Sequence, residues 1–168
     1  MKDWDEYFIG LTYQVADKSK DKSTHVGAII VGPDNEIRST GYNSQPRGAQ
    51  DNLDERHLRP EKYLWFEHAE RNAIYNAARM GTALKGCKIY LNYLPCPDCM
   101  RGVIQSGITE VIIHKNFPGA ETITNWNDQF ERSNVMAHEC GVKIRFWDGE
   151  LKEVKALYSG TSYNVYKE

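Results

Sequence analysis

Two short motifs, each at the start of a predicted helix, constrain how this chain can fold. His68-Ala69-Glu70 begins one helical segment, and Pro95-Cys96-Pro97-Asp98-Cys99 begins another directly after a predicted strand. The 24 residues between them, 71–94, are enough for the rest of a helix, a turn and a strand. A crossover of this kind predicts that both helix N-termini lie side by side at the same end of one sheet. The two motifs are therefore expected to meet in space.

The side chains of these motifs make a set of metal ligands with one coordination position left open. His68, Cys96 and Cys99 supply one imidazole and two thiolates. Three protein ligands are typical of catalytic zinc, whereas structural zinc is usually closed by four. The positive ends of the two helix dipoles favour the thiolate forms. Glu70 follows His68 by two residues, where a carboxylate can move protons without binding the metal. The pattern predicts one Zn²⁺ per chain and Glu70 as the catalytic residue.

Other interpretations of the same residues are weaker. A Cys-x-x-Cys pair alone is also typical of redox sites, and an isolated His-x-Glu on a helix usually consists of solvent-exposed residues without a function. Their conjunction in this order, with prolines on both sides of Cys96, favours a zinc hydrolase. The non-enzyme alternative is a structural zinc module that binds a partner, although the motifs are one ligand short of a closed site. Cys87 and Cys140 lie in apolar surroundings and are predicted to be small core residues.

Hydrophobic periodicity predicts an α/β fold. The predicted helices span 3–18, 67–80, 97–106 and 127–139, and the predicted strands span 25–31, 36–42, 87–93, 110–114 and 143–147. The order implies an antiparallel opening hairpin followed by parallel crossovers. We expect a single three-layer α/β/α domain over residues 1–148, with a mixed five-stranded sheet and helices on both faces.

Two segments resist a simple assignment. Residues 43–66 form a long polar connection that ends in Tyr63-Leu64-Trp65-Phe66, and such an aromatic group is expected to pack down and order part of the loop. Residues 149–168 are a polar C-terminal tail for which the pattern predicts no structure. The tyrosines of this tail, Tyr158, Tyr163 and Tyr166, suit an interface cap and a disordered segment equally well.

Composition excludes several classes of protein. The chain has 168 residues, with 21 Lys and Arg against 23 Asp and Glu and a net charge of −2. This balance argues against a long nucleic acid as partner, since such binders carry a basic excess. No run approaches the roughly 18 apolar residues of a membrane span, and the N-terminus does not resemble a signal peptide. We therefore expect a cytoplasmic protein without a membrane partner.

The motifs, with several segments around them, resemble the deoxycytidylate (dCMP) deaminase family. The zinc motif is common to the wider cytidine and deoxycytidylate deaminase superfamily. The V-G-A strand, the G-Y-N-x-x-P-x-G loop and H-A-E-x-N-A-I are narrower and favour the dCMP branch. The resemblance covers about residues 5–147 and is carried by Lys20–Val31, Gly41–Gly48, His68–Ile74, Leu94–Cys99 and Gln105–Ile108.

The resemblance implies a cytidine-deaminase-like fold and the zinc-dependent hydrolysis of dCMP to dUMP and ammonia. By the same resemblance, His68, Cys96 and Cys99 are the zinc ligands and Glu70 is the proton shuttle. The substrate-binding residues that it implies are Asn43 for the sugar, Val26 against the base, the backbone of Ala69 and the carbonyl near Leu94 and Pro95 for the pyrimidine edge, and Thr24 beside them.

The resemblance also implies a homohexamer that dCTP activates and dTTP inhibits at the G-Y-N-x-x-P-x-G loop. Ser44 stands where the family often has a glycine. Lys20, Lys22 and Arg47 are the phosphate or allosteric contacts that we infer in this region. Deaminases of free nucleosides or bases and of tRNA adenosine share the zinc motif and remain the enzymatic alternatives.

Overall fold

The predicted helices and strands occur in the predicted order, and a short helix in the long connection and a C-terminal pair of strands are added to them. A computed structural model describes residues 3–117 and 127–165. A 3₁₀ turn at Asp54–His57 lies inside the long connection. The helices and strands are α1 (Trp4–Ala16), β1 (Gly27–Val31), β2 (Ile37–Tyr42), α2 (Lys62–Trp65), α3 (Ala69–Met80), β3 (Lys88–Leu91), α4 (Pro97–Gln105), β4 (Glu110–His114), α5 (Asn127–Glu139), β5 (Lys143–Trp147), β6 (Lys155–Tyr158) and β7 (Thr161–Asn164).

Five strands form the mixed sheet that the sequence predicts. Their order is β2-β1-β3-β4-β5, with β1 antiparallel to both neighbours and the pairs β3–β4 and β4–β5 parallel. The crossover from β2 through α3 to β3 does not join adjacent strands, because β1 lies between β2 and β3 and pairs with both. The carboxyl ends of β2 and β3 consequently lie at the same edge of the sheet as the start of β1. The loops at that edge carry the two motifs.

The two faces of the sheet are covered by different helices, which confirms the three-layer α/β/α arrangement. Along β1, Ala28 and Ile30 point into the core beneath α3, α4 and α5, whereas Ile29 and Val31 point into the core beneath α1. This alternation is the two-residue period of a strand buried on both faces. Among the described residues, no helix is both long enough and apolar enough to cross a bilayer.

A close approach of α3 to β2 positions the first motif. A Cβ atom added at Gly41 would lie 2.3 Å from the carbonyl oxygen of Ala69 and from the amide nitrogen of Ala73. Only glycine leaves room for the helix backbone at this distance. Ala69, Ala73 and Ala77 are all buried on the same face of α3. The small residues on both elements therefore bring the N-terminus of α3 against the edge of the sheet.

The C-terminal segment forms a β-hairpin that the sequence does not predict. β6 and β7 are joined by Ser159 and Gly160, both at positive φ (50° and 78°), as in the two-residue turns that suit hairpins. Leu151, Ala156 and Val165 of this region are buried in the core on the α1 side of the sheet. The hairpin thus packs against the rest of the fold. Tyr166 lies outside the described residues.

Other expectations are met only in part. Within Tyr63–Phe66 only Phe66 is buried, while Tyr63 and Leu64 are exposed, so the aromatic group does not pack down as a unit. Cys87 is buried as predicted, but Cys140 is exposed. The prediction fails there because Cys140 follows the last turn of α5 on its solvent side. Most of the predicted loop 115–126 lies outside the described residues.

Candidate metal centre and active site

The proposed metal ligands lie at the N-termini of α3 and α4. His68 is the N-cap of α3 and Cys96 is the N-cap of α4, both with extended backbone, and neither side chain caps its helix. Cys99 lies in the first turn of α4, and Pro97 occupies a first-turn position where its missing N–H costs nothing. Because β3 leads directly into α4 at the edge where α3 begins, the three side chains converge.

The donor atoms fit a tetrahedral zinc ion. One atom from each of His68, Cys96 and Cys99 lies within 4.8 Å of the others, and both sulfurs are 3.5 Å from Nδ1 of His68. Zn–S bonds of ~2.3 Å and Zn–N bonds of ~2.0 Å place nitrogen and sulfur about 3.5 Å apart in a tetrahedral site. Within residues 3–117 and 127–165, no fourth His, Cys, Asp or Glu joins this group. The three residues form a possible metal site with room for a non-protein ligand.

The electrostatics of the two cysteines favour metal binding. A hydrogen bond between the two side chains lowers the pKa of Cys96 to about 3 and raises that of Cys99. Nη1 of Arg71 donates to Sγ of Cys99 at 3.3 Å and lies 4.0 Å from Sγ of Cys96. The guanidinium is itself held by Glu67 one turn earlier. A fixed cation beside the sulfurs stabilises their thiolate forms.

Glu70 lies beside the proposed ligands and is buried. The side chain is 3% exposed, and burial raises the pKa of its carboxyl above the ordinary range. A raised pKa brings a carboxyl closer to the range in which it can both accept and donate a proton near neutral pH. The first turn of α3 therefore presents a buried carboxyl with a raised pKa next to the proposed metal ligands.

A single cavity contains most of the residues that the sequence assigns to substrate. Thr24, Val26, Asn43, Ala69 and Leu94 line it together with His68 and Glu70. Pro95 does not line it. Its carbonyl accepts a hydrogen bond from Oγ of Ser133 at 3.0 Å, which directs that oxygen toward α5.

The side chain of Asn43 is already hydrogen-bonded within the protein. Its Oδ1 accepts from the backbone N–H of Val26 at 2.8 Å, and its Nδ2 donates to Asp21 Oδ2 at 3.0 Å and to the carbonyl of Thr24 at 2.8 Å. Both amide hydrogens are therefore used. In this arrangement Asn43 holds the segment that precedes β1 in position, and that segment forms one wall of the cavity.

Several cavity residues escape prediction from the sequence because they come from segments with no motif. Asp21 belongs to a polar loop, Arg59 to Phe66 belong to the long connection, and Tyr158 and Ser159 belong to the hairpin. The only signal in the sequence was the unusual length of the connection. These additional lining residues are Asp21, Arg59, Lys62, Tyr63, Phe66, Tyr93, Tyr158 and Ser159.

The basic residues inferred from the sequence lie elsewhere. Lys20 and Arg47 line a second cavity on the other side of the G-Y-N-x-x-P-x-G loop, and Lys22 lines neither cavity. Lys20 pairs with Asp51 and Lys22 pairs with Asp54, each at 2.5 Å, and Arg47 bonds to Asn76. Ser44 is not at positive φ, so this position does not need the glycine that the family often has.

Comparison with known protein families shows which family this chain belongs to. The family model described as the cytidine and deoxycytidylate deaminase zinc-binding region matches residues 2–115. The chain belongs to this family. The matched region includes His68, Glu70, Cys96 and Cys99 and ends before α5 and the hairpin.

Individual relatives agree with this assignment. The deoxycytidylate deaminase of Mus musculus is 41% identical over 115 residues, which are 66% of this chain and 64% of that protein. The chain thus spans slightly less than two thirds of the length of that relative. An uncharacterized deaminase from the luxG 3′ region of Aliivibrio fischeri is 36% identical over 143 residues, with 84% of this chain and 91% of that protein covered.

Solved structures confirm the fold of this deaminase family member. The dCMP deaminase of the cyanophage S-TIM5, crystallised in complex with dCMP and dUMP, matches with a TM-score of 0.61 at 23% identity. The match covers 84% of this chain and 93% of the cyanophage protein. The apo form of the same protein matches with a TM-score of 0.62 and covers 88% of this chain. The cytidine-deaminase-like fold expected from the sequence is therefore confirmed.

Proposed function

We propose that this chain is a dCMP deaminase that hydrolyses dCMP to dUMP and ammonia. The observation that carries the proposal is the cavity itself. In a chain of the deaminase family, one cavity is lined by a proposed metal ligand, His68, and by the buried carboxyl of Glu70. His68, Cys96 and Cys99 would hold one Zn²⁺ per chain. When bound, zinc acts as a Lewis acid that lowers the pKa of water toward neutrality.

Glu70 carries the protons of the proposed reaction. Its carboxylate accepts a proton from the attacking water and delivers it to N3 of cytosine, which makes C4 electrophilic. Oxygen adds to C4, and Glu70 then moves the second proton to the exocyclic amino group. The C4–N bond breaks, ammonia leaves, and C4 becomes a carbonyl. One carboxylate serves both transfers in this proposal because it reaches both the water and the ring from the cavity wall.

Neighbouring residues orient the pyrimidine in this proposal. The backbone of Ala69 and the carbonyl of Leu94 lie where they can bind the polar edge of the ring, and Val26 packs against its face. Thr24 and the segment held by Asn43 bound the space for the sugar. All five residues line the cavity. The Pro95 carbonyl, engaged by Ser133, contributes no contact to this arrangement.

We also propose that the second cavity is the regulatory site for dCTP and dTTP. Both amide atoms of Gln45, which is 8% exposed, lack a hydrogen-bond partner, and Gln45 lines this cavity with Lys18, Lys20 and Arg47. A buried amide without a partner is costly unless a ligand satisfies it. Lys18 and Arg47 bring positive charge that suits a triphosphate, and Lys20 lies beside them in an ion pair with Asp51. A homohexamer and a cytoplasmic location complete the proposal, the latter because thiolate ligands suit a reducing compartment.

The test is ammonia release by the zinc-loaded protein with dCMP and deoxycytidine as paired substrates, with and without dCTP. Turnover of dCMP well above that of deoxycytidine supports the proposal. Equal turnover would instead indicate a nucleoside deaminase. If neither substrate is turned over but adenosine in a tRNA is deaminated, the chain is a tRNA adenosine deaminase. Inactivity on all three with zinc firmly bound would favour the structural zinc module.

A further inference from the structure

Among the residues that the structure describes, Arg59 is the basic residue of the proposed active-site cavity that has no carboxylate partner. We propose that Arg59 binds the 5′-phosphate of the substrate and is the residue that selects a nucleotide over a nucleoside. This inference rests on the proposed function and identifies the residue that recognises the anionic end of its substrate.

The charges in the cavity wall leave Arg59 as the available cation. The other basic residue of the wall, Lys62, is 12% exposed in its side chain and pairs with Asp21 at 2.7 Å. The Asp21 side chain is 3% exposed, so this pair is largely shielded from water. Within the described residues, Arg59 has no such partner. Its guanidinium lies over the ring of Tyr63, 5.8 Å from the ring centroid.

The depth of the lining residues places this charge at the open end of the cavity. Glu70 and Ala69 are buried, whereas Arg59 and Ser159 are exposed. A nucleotide whose base reaches Glu70 therefore extends its sugar and phosphate outward, toward the exposed residues. The guanidinium presents parallel N–H donors that match two phosphate oxygens.

Hydroxyl groups at the same cavity provide neutral partners for a phosphate. Oγ1 of Thr24 accepts a hydrogen bond from the backbone N–H of Ser159 at 3.3 Å. This contact ties the turn of the C-terminal hairpin to the loop before β1. The Thr24 hydroxyl also lies 3.4 Å from Oγ of Ser23, and the Ser159 side chain lies beside it in the lining. The hairpin thus helps to shape the site from outside the matched family region.

The cations predicted from the sequence do not compete for this position. Lys20 and Arg47 line the second cavity and Lys22 lines neither, and the two lysines have carboxylate partners of their own. Arg59 therefore replaces them in our assignment of the substrate phosphate.

The experiment compares Arg59→Gln with the parent protein, using kcat/KM for dCMP and for deoxycytidine. Removal of a charge-assisted bidentate contact is expected to lower kcat/KM for dCMP about 10- to 100-fold, with deoxycytidine unchanged. Arg59→Lys should recover part of the loss. The matched control is Arg56→Gln, which removes the same charge from the same segment but from a guanidinium stacked 3.6 Å over Trp65, away from the cavity lining. This control variant should leave kcat/KM unchanged for both dCMP and deoxycytidine.

A binding measurement separates the two proposals. By titration calorimetry, Arg59→Gln should weaken binding of dUMP but not of deoxyuridine. If the parent protein fails to deaminate dCMP, the proposed function is wrong, and the dUMP titration alone decides the role of Arg59. If the parent prefers dCMP and Arg59→Gln keeps that preference and its dUMP affinity, the assignment of Arg59 is overturned. Loss of the preference in Lys20→Gln, Lys22→Gln or Arg47→Gln, with Arg59→Gln unaffected, would overturn it in favour of those cations.

Discussion

Nη1 of Arg71 lies 3.3 Å from Sγ of Cys99, and Glu67 holds the same guanidinium from one turn earlier on the chain. The contact places a permanent positive charge beside the proposed thiolate ligands. Two thiolates make a metal less acidic by donating charge to it. A guanidinium that donates to the sulfur withdraws part of that charge, so Arg71 acts on the site through Cys99.

We expect Arg71→Gln to weaken zinc retention or turnover about 10- to 100-fold, the range found when partners of metal ligands are removed. Zinc retention is measured by competition with a chelator, and turnover is measured on dCMP. Arg79→Gln is the control, since Arg79 lies in the last turn of the same helix and is exposed. Unchanged retention and turnover in Arg71→Gln would show that the contact with Cys99 has no functional effect.

Cys96→Ala and Cys99→Ala should each lose zinc, and a lower Tm is expected because the starts of α3 and α4 lose their shared ion. Metal content after gel filtration and thermal unfolding are the measurements. Cys140→Ala serves as the control, because Cys140 is exposed and outside the ligand group. Full zinc occupancy in both ligand variants would refute the assignment.

Glu70→Gln should retain zinc and lose at least ~10²-fold in kcat, because the amide cannot carry the proton from water to N3. The buried position accepts glutamine without leaving a cavity. Metal analysis and steady-state rates on dCMP test both parts. A variant with bound zinc and near-normal kcat would remove Glu70 from the proposed role. Glu131→Gln on the exposed side of α5 controls for loss of a carboxylate elsewhere.

Asn43→Ala should raise KM for dCMP and lower the free energy of unfolding by about 2 kcal/mol, since the N–H of Val26 loses its partner. Chemical denaturation and steady-state kinetics measure the two effects. Asn116→Ala is the control, because its side chain is exposed and donates a hydrogen bond to the carbonyl of Asp148 on the surface. A raised KM with unchanged stability would mean that Asn43 contacts the sugar directly.

His114 predicts a pH dependence of stability. Burial lowers the pKa of its imidazole from 6.5 to about 4, and its Nδ1 accepts a hydrogen bond from the Tyr13 hydroxyl at 2.6 Å. Because the folded pKa is the lower one, the unfolded chain binds more protons between these values. Stability is therefore intact above about pH 6.5 and falls with pH, by about 3 kcal/mol at most, until about pH 4.

Denaturant unfolding from pH 7 to pH 4 measures this loss. In His114→Gln the free energy of unfolding should change less over the same interval, because the titrating group is gone. His138→Gln should follow the parent protein, since His138 is exposed on α5. Parallel curves for His114→Gln and the parent would show that other groups cause the acid sensitivity.

Local sequence patterns account for the elements of the sheet and for the proposed ligands. Strand periodicity and the Gly81 C-cap of α3 depend on neighbours in the chain, and their predicted bounds differ from the structure by a few residues at most. The spacing of His68, Cys96 and Cys99 predicts their convergence, because a strand–helix–strand crossover admits few arrangements. These inferences need no knowledge of distant contacts.

The remainder of the site depends on contacts between segments that are far apart in sequence. The hydrogen bonds that use both amide hydrogens of Asn43 form only when distant loops lie side by side. The same contacts pair Lys62 with Asp21 and leave Arg59 without a carboxylate partner among the described residues. The same holds for the hairpin, whose few apolar residues become a core element only against α1 and Tyr93.

The sequence by itself therefore determined the fold class and predicted the proposed ligand set and the proposed proton carrier. The tertiary structure decided which cation is left without a carboxylate and which amide is already hydrogen-bonded. The physical reason is that a motif is defined by residues whose spacing follows from one local geometry. Charge neutralisation and hydrogen-bond saturation instead depend on every partner within a few ångströms, wherever that partner lies in the chain.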